Sequence, residues 1–316
     1  MPPAAPELNF TLLWLGLFGG LAMFLYGLDK LSTALKYLAG HRLKQLLLGL
    51  TSNRLSGVGA GVLLTLMLQS SAATTVLLVS FFAADLLSLS RALAVVLGAD
   101  IGTTLTVQLL AFHVGDYALA AVALGFLLHF VAADERIKQA GYGLLGLGLM
   151  FYGLDLMGTA MAPLQQVLWF KQLMQQVSTP WLGVLIGAAF TAMVQSSAAT
   201  LGVIIALGGQ GLLALPAAIA LMLGANIGTC ATALLAALGK PREAVRLAVG
   251  HVLFKVVTVA VVLPFLPWFI AAVDTLAGEL ELARHIAHGH LLFNLLLALL
   301  FLPLLGWVAK GLTWAI

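Results

Sequence analysis

The chain has 316 residues, 62% of them hydrophobic and 9% charged, with a mean hydropathy of +1.08. Soluble domains carry roughly 25% charged residues, so this composition excludes one and points to an integral membrane protein. The formal net charge is +3; in such a chain Lys and Arg set orientation rather than bind nucleic acid, and the single cysteine, Cys230, excludes an internal disulfide and a Cys-x-x-Cys metal centre.

Apolar runs separated by Pro, Gly or charge clusters match helices of roughly 20 residues, and the alternating pattern of an outer-membrane barrel is absent. The expected fold class is an all-α integral membrane protein. The opening MPPAAPELNF has no Lys or Arg before the first apolar run, unlike a secretory signal peptide, so the first span, about 11–35, is read as permanent. His41 to Leu55, HRLKQLLLGLTSNRL, is basic and amphipathic and reads as a helix on the cytoplasmic surface. The segment 57–84 follows, and within it MLQSSAATTV, Met67 to Val76, places four hydroxyls and an amide in an apolar run. Spanning helices are expected over 90–112, through GADIGT, and over 115–132.

The pattern then repeats at an offset of 126 residues. YGLD at Tyr26 to Asp29 returns at Tyr152 to Asp155, QSSAAT returns at Gln195 to Thr200, and GADIGT at Gly98 to Thr103 returns as GANIGT at Gly224 to Thr229, without a gap between these anchors. The two halves read as copies of one folding unit. The second copy predicts spans over 139–162, 213–238 and 245–267 around a QSS segment at 183–210, and a last span over 286–309. This divides the chain into a first repeat (1–137), a second (138–270) and a closing helix (271–316).

Each QSS segment has two readings. Gly57 to Leu68 is 12 residues, about 18 Å of helix and too short for a hydrocarbon core of roughly 30 Å, which suits a re-entrant hairpin; the alternative is one long span with small polar residues at a helix contact. Loop charge favours hairpins. With two hairpins, Lys36, Arg42, Lys44, Arg54, Arg91, Arg136, Lys138, Lys240, Arg242, Arg246 and Lys310 share one side, and only Lys171 and Arg284 lie on the other. With two full spans the split is 9 against 4, a weaker positive-inside bias. Hairpins give about seven full spans and two re-entrant segments, with the N-terminus outside and the C-terminus cytoplasmic. Each unit then crosses three times, so the copies are inverted and their hairpin tips meet near the midplane, where such transporters bind substrate.

At a re-entrant tip, unpaired N–H groups and the positive helix end suit an oxyanion. Ser70, Ser71, Ser196 and Ser197 can donate to it, and Gln69 and Gln195 can donate or accept. No Lys or Arg lies within ten residues of either cluster, so co-bound cations are expected to supply positive charge. Gly98, Gly102, Gly224 and Gly228 are expected to break their helices and free carbonyl oxygens beside Asp100, Thr103, Asn226 and Thr229, a hard-oxygen set for Na+; the alternative is that the glycines only permit close helix packing. Asp100, a carboxylate at membrane depth, reads as functional.

The paired QSS clusters, each followed about 29 residues later by GA(D/N)IGT, resemble the type II sodium-dependent phosphate cotransporter family over roughly residues 12–310. The resemblance implies sodium-driven uptake of inorganic phosphate across the cell (inner) membrane, elevator-like motion, a homodimer in lipid, and no cofactor beyond Na+ as coupling ion. The anion set expected with it is Gln69, Ser70, Ser71, Thr104, Gln195, Ser196 and Ser197; the sodium set is Thr74, Asp100, Thr103, Thr200, Asn226 and Thr229. The chain departs from the family pattern where Ala72 and Ala198 replace a third serine, where Asp100 replaces Asn, and where REAVRLAVGHVLFK ends in Lys255 instead of Asn; a related HGHLLFN stands at His288 to Asn294.

Asp29 and Asp155 read as capping or ion-pairing residues near span ends. Lys255 reads as snorkelling or pairing with a carboxylate, Asp116 as a weak match to a Gly-Asp pair, and His129, His251 and His290 as packed or capping groups. An enzyme is not expected, because no general base accompanies the hydroxyls; a channel-like or regulatory membrane protein remains the alternative to a carrier.

Overall fold

The computed structural model describes residues 9–39, 53–83, 88–112, 115–177 and 179–316; among them there are helices and no strands. In chain order the helices are α1 (Phe10–Ala39), α2 (Arg54–Leu68), α3 (Ser71–Ala83), α4 (Leu89–Leu110), α5 (Gly115–Val131), α6 (Glu135–Met161), α7 (Leu168–Val177), α8 (Pro180–Val194), α9 (Ser197–Gly209), α10 (Leu215–Gly228), α11 (Cys230–Ala237), α12 (Arg242–Val262), α13 (Leu266–Ala277), α14 (Leu282–Phe301) and α15 (Leu305–Ala315). The surface helix expected over His41 to Leu55 falls outside the described residues except at Asn53, Arg54 and Leu55. There Asn53 and Ser56 form a capping box that starts α2.

Among the described residues six helical stretches are long and apolar enough to cross a membrane, running Phe10–Leu38, Leu89–Leu110, Glu135–Gln166, Leu215–Ala237, Arg242–Ala277 and Leu282–Phe301. The seventh expected span forms α5, whose 17 residues reach about 25 Å at 1.5 Å per residue. The protein is a multi-pass membrane protein. Its apolar residues point outward as well as inward: α1 exposes Phe10, Leu12, Trp14, Leu15 and Phe18, a surface suited to lipid. Burial ranks the spans from rim to centre. The apolar window of α1 is 28% buried, whereas those of α4 and of the α10–α11 span are 78% and 72% buried, so the two GA(D/N)IGT helices form the middle of the bundle.

Both QSS segments are broken helices. α2 and α3 meet at Gln69–Ser70 with a bend of 120°, and α8 and α9 break at the equivalent Gln195–Ser196. Arms of 13 and 15 residues measure about 20–23 Å, short of a full crossing.

The expected break within the GA(D/N)IGT helices is corrected. α4 runs unbroken through Gly98–Thr103, whereas in the second copy the helix is interrupted at Thr229, the last residue of the motif, and not at the glycines. The glycines serve packing instead. A Cβ on Gly98 would strike the Val58 carbonyl, and one on Gly61 the Val95 carbonyl, so α2 and α4 touch backbone to backbone. In the second copy Gly224 faces the Val184 carbonyl and Gly187 the Leu221 carbonyl in the same way. Small residues four apart on both partners let helices approach this closely where lipid offers little hydrophobic drive between them. Glycines also join α1 to α6, through Gly20 on Gly153 and Gly27 on Gly146, and α5 to α6, through Gly125 on Gly141. The bundle thus has a frame of α1, α5 and α6, and a hairpin-bearing core centred on α4 and α10.

Gly98→Ala should therefore lower stability by at least about 1–3 kcal/mol, the usual cost of overpacking, because the group in the way is backbone and cannot rotate aside. Gly59, on the facing arm α2 with open space around its Cβ position, is the control: Gly59→Ala should leave the melting temperature in detergent unchanged or slightly raised.

Candidate anion and cation sites

Each hairpin turn is made by a glutamine. Gln69 (φ 50°) and Gln195 (φ 57°) are the only non-glycine residues with positive φ among those described, and each closes the first arm of its hairpin in the left-handed conformation that glycine usually supplies. In the first turn the side chain contributes: Gln69 Nε2 donates to the Leu66 carbonyl at 2.7 Å, and its Oε1 accepts from Thr106 Oγ1 at 2.9 Å. Strain of this kind clusters at functional sites, and here it falls on the same residue type twice.

The serines then start the returning arms. Ser70 Oγ accepts from Ala73 N at 3.1 Å, and Ser196 Oγ from Ala199 N at 3.2 Å, which are N-cap bonds. Ser71 and Ser197 are the first residues of α3 and α9 and are buried. Behind the turns a threonine pair ties the two arms of each hairpin together: Thr65 to Thr74 at 3.0 Å, and Thr191 to Thr200 at 2.8 Å.

The two turns face one cavity of about 300 Å³. Its wall holds Gln69, Ser70, Ser71, Gln195, Ser196 and Ser197, together with Thr103 and Thr229 from α4 and the end of α10. All but one of the residues expected to hold an anion are therefore together. The exception is Thr104, whose hydroxyl donates to the Ile101 carbonyl at 2.7 Å and which does not line the cavity. Because α4 is a continuous helix, adjacent residues differ by about 100° in direction, and Thr103 takes the cavity face. Ala72 and Ala198 line the wall where a third serine would stand.

Sequence reasoning missed the contribution of α1. Asp29, Ser32 and Lys36 line the same cavity, and Ser32 Oγ donates to the Leu68 carbonyl at the end of α2 at 2.7 Å. A basic side chain thus faces the serines after all, from a helix remote in sequence. The signal was present in the spacing, since residues 29, 32 and 36 share one face of a helix. Asp155, the repeat partner of Asp29, lines a separate cavity of about 130 Å³ with Phe112, Phe151 and Gln210. Asp116 is exposed, and His129 stacks on Tyr142.

The residues expected as sodium ligands divide into two groups. The hydroxyls of Thr103 and Thr229 donate to the carbonyls of Ala99 and Ala225 while lining the cavity, and Thr74 and Thr200 sit behind the turns as described. Asp100 and Asn226, in contrast, are taken by a protein ammonium. Lys255 Nζ lies 3.1 Å from Asp100 Oδ2, 3.0 Å from Asn226 Oδ1 and 2.7 Å from Asn294 Oδ1, while His251 Nε2 lies 3.3 Å from Asp100 Oδ1. Every member of this cluster is at most 3% exposed, which rules out the snorkelling reading of Lys255 and leaves pairing with a carboxylate. The role of Asn294 was not anticipated, although His251-x-x-Phe254-Lys255 and His290-x-x-Phe293-Asn294 share one pattern.

Removing one partner of a buried ion pair strands the other, at about 3–5 kcal/mol. Asp100→Ala should accordingly lower the melting temperature of the detergent-solubilised protein sharply, and Asp100→Ala combined with Lys255→Met should recover most of the loss.

Comparison with known proteins gives the family of the chain. A family model described as Na+/Pi-cotransporter matches residues 23–159 and again residues 164–302. The chain is 34% identical over 244 residues to "Uncharacterized protein YqeW" of Bacillus subtilis, covering 77% of this chain and 79% of that one. It is 31% identical over 276 residues to "Putative inorganic phosphate export protein YjbB" of Salmonella typhimurium, covering 86% of this chain and 51% of the relative, so it spans about half the length of that protein. Human "Sodium-dependent phosphate transport protein 2B" is 37% identical over 103 residues, 32% of this chain and 15% of that protein. No solved structure matches the chain.

Proposed function

Because the chain belongs to the Na+/Pi-cotransporter family, we propose that it is a secondary-active carrier of inorganic phosphate that uses a sodium gradient to drive the anion inward. The observation that carries this reading is the shared cavity. Two helix N-termini, each opened by a serine cap and preceded by a strained glutamine, line one space, and N-terminal N–H groups with their dipole favour an oxyanion. At about 300 Å³ the space is at the small end of ligand pockets, which suits a small anion. Ser71 and Ser197 donate to it, and Lys36 supplies long-range attraction from the wall. No arginine fork grips the anion, and this favours release.

In this reading the two halves are inverted repeats whose hairpins enter from opposite faces of the cell membrane, with the N-terminus outside and the C-terminus cytoplasmic. Sodium binds beside the threonine hydroxyls Thr74, Thr103, Thr200 and Thr229. The hairpin core moves against the frame of α1, α5 and α6 in an elevator-like cycle, in a homodimer surrounded by lipid. The glycine-packed frame and its fewer links to the core, such as Ser32 to Leu68, support this division. A second reading, export of phosphate, is favoured by the name of the YjbB relatives and differs in the direction the gradients impose.

Reconstituted into liposomes, the protein should take up radiolabelled phosphate saturably when sodium is outside. Uptake that ignores sodium or fails to saturate would count against the carrier, and efflux from loaded vesicles that opposes an inward sodium gradient would favour export. Ser71→Ala and Ser197→Ala should each raise the apparent KM by about tenfold, the loss of one hydrogen bond to a charged group. Lys36→Gln should also raise KM, by an amount that shrinks at high ionic strength.

A further inference from the structure

The cluster around Lys255 is built like a cation site that already contains its cation. An ammonium has three N–H donors and no acceptor, and Lys255 meets three oxygens from three other helices: Asp100 on α4, Asn226 on α10 and Asn294 on α14. Its hydrogen bonds go to the two amide oxygens, and Asp100 Oδ2 stands in ion-pair contact at 3.1 Å. Both amides are locked so that oxygen faces the ammonium, because Asn226 Nδ2 donates to the Met222 carbonyl at 3.0 Å and Asn294 Nδ2 to the His290 carbonyl at 2.8 Å.

The sequence gives a second indication. The counterpart of Asp100 across the 126-residue repeat is Asn226, and in the related His-x-x-Phe motif at His290 the residue in the place of Lys255 is Asn294. One set of positions is neutral and the other carries a compensating charge pair 3.1 Å apart. Asp100 and Lys255 therefore form one device, a carboxylate together with the cation that neutralises it. Thr103 and Thr229, three residues beyond Asp100 and Asn226 on the same chain segments, line the anion cavity, so the cage lies about one helical turn from the cavity-lining threonines.

We infer that Lys255 is a tethered coupling cation: its ammonium permanently fills a monovalent-cation subsite formed by Asp100, Asn226 and Asn294, and the chain moves its anion with one fewer free cation than the cage could hold. A tethered cation balances charge beside the substrate as a sodium ion does, but it stays with the protein when the anion leaves. It therefore draws nothing from the sodium gradient on that account. This consequence for coupling rests on the phosphate-carrier reading; occupancy of the cage does not.

The test is binding of radiolabelled sodium to the purified protein, with no phosphate and no flux, on the wild type, Lys255→Met and the neutral pair Asp100→Asn/Lys255→Asn. Both variants should bind one more sodium ion per chain than the wild type, and Lys255→Met should melt higher in sodium chloride than in choline chloride by an amount that grows with sodium concentration. A folded variant with unchanged sodium stoichiometry and no sodium-specific stabilisation overturns the inference. So does failure of both variants to fold in every salt, sodium included, since an open site would be rescued by the ion it binds. In liposomes, Lys255→Met should show a steeper sodium dependence of phosphate flux than the wild type. Absence of flux in the wild type would sink the carrier reading and leave the binding result standing.

Discussion

The structure depends on backbone-to-backbone contact between the first arm of each hairpin and its GA(D/N)IGT helix. In lipid there is little hydrophobic gain from bringing two helices together, so the contact relies on close van der Waals packing, and side chains at Gly61, Gly98, Gly187 or Gly224 would hold the helices apart. That single constraint sets the depth at which each arm ends. It brings Gln69 beside Thr106, puts the serine caps in reach of one cavity, and lets Thr103 and Thr229 form its far wall.

With the arms anchored, local chemistry shapes the tips. A left-handed glutamine ends each first arm, a serine cap starts each second, and a threonine pair nine residues apart braces each hairpin. All of these occur in both halves, which means that two copies of one sequence solution produce one composite site. Charge is what breaks the likeness. The first half carries Asp29 and Lys36 at the cavity, and Asp100, where the second half has Asn226, is paired with Lys255. Electrostatics in this protein is therefore asymmetric over a nearly symmetric backbone.

A buried ammonium among three oxygens bears on how such a site is kept stable. An unpaired charge in the membrane interior is costly, and a cage with a lone carboxylate needs a bound ion to be tolerated. A lysine removes that dependence, since folding alone completes the cage. The same arrangement keeps the lysine out of the cavity between the QSS turns, leaving hydroxyls, backbone N–H groups and the more exposed Lys36 to meet whatever enters.

Much of this was legible in the sequence. Composition alone dictated an all-helical membrane protein, and the 126-residue repeat with its short apolar arms located the helix breaks at Gln69–Ser70 and Gln195–Ser196. Matching motifs picked out six residues that line one cavity, of seven expected to hold an anion, because a repeat records pairings that hold in both halves. What a linear pattern could not convey was which face of a continuous helix looks where. Hence Gly98 and Gly224 serve packing rather than a helix break, Thr104 turns away while Thr103 does not, and Lys36 reaches a cavity it was not expected to touch. The partners of Lys255 were likewise decided only in three dimensions, where helices α4, α10, α12 and α14 converge. Local segments specify turns and caps because those bonds close within a few residues, whereas a buried charge is satisfied by whichever side chains the packing of distant helices delivers to it.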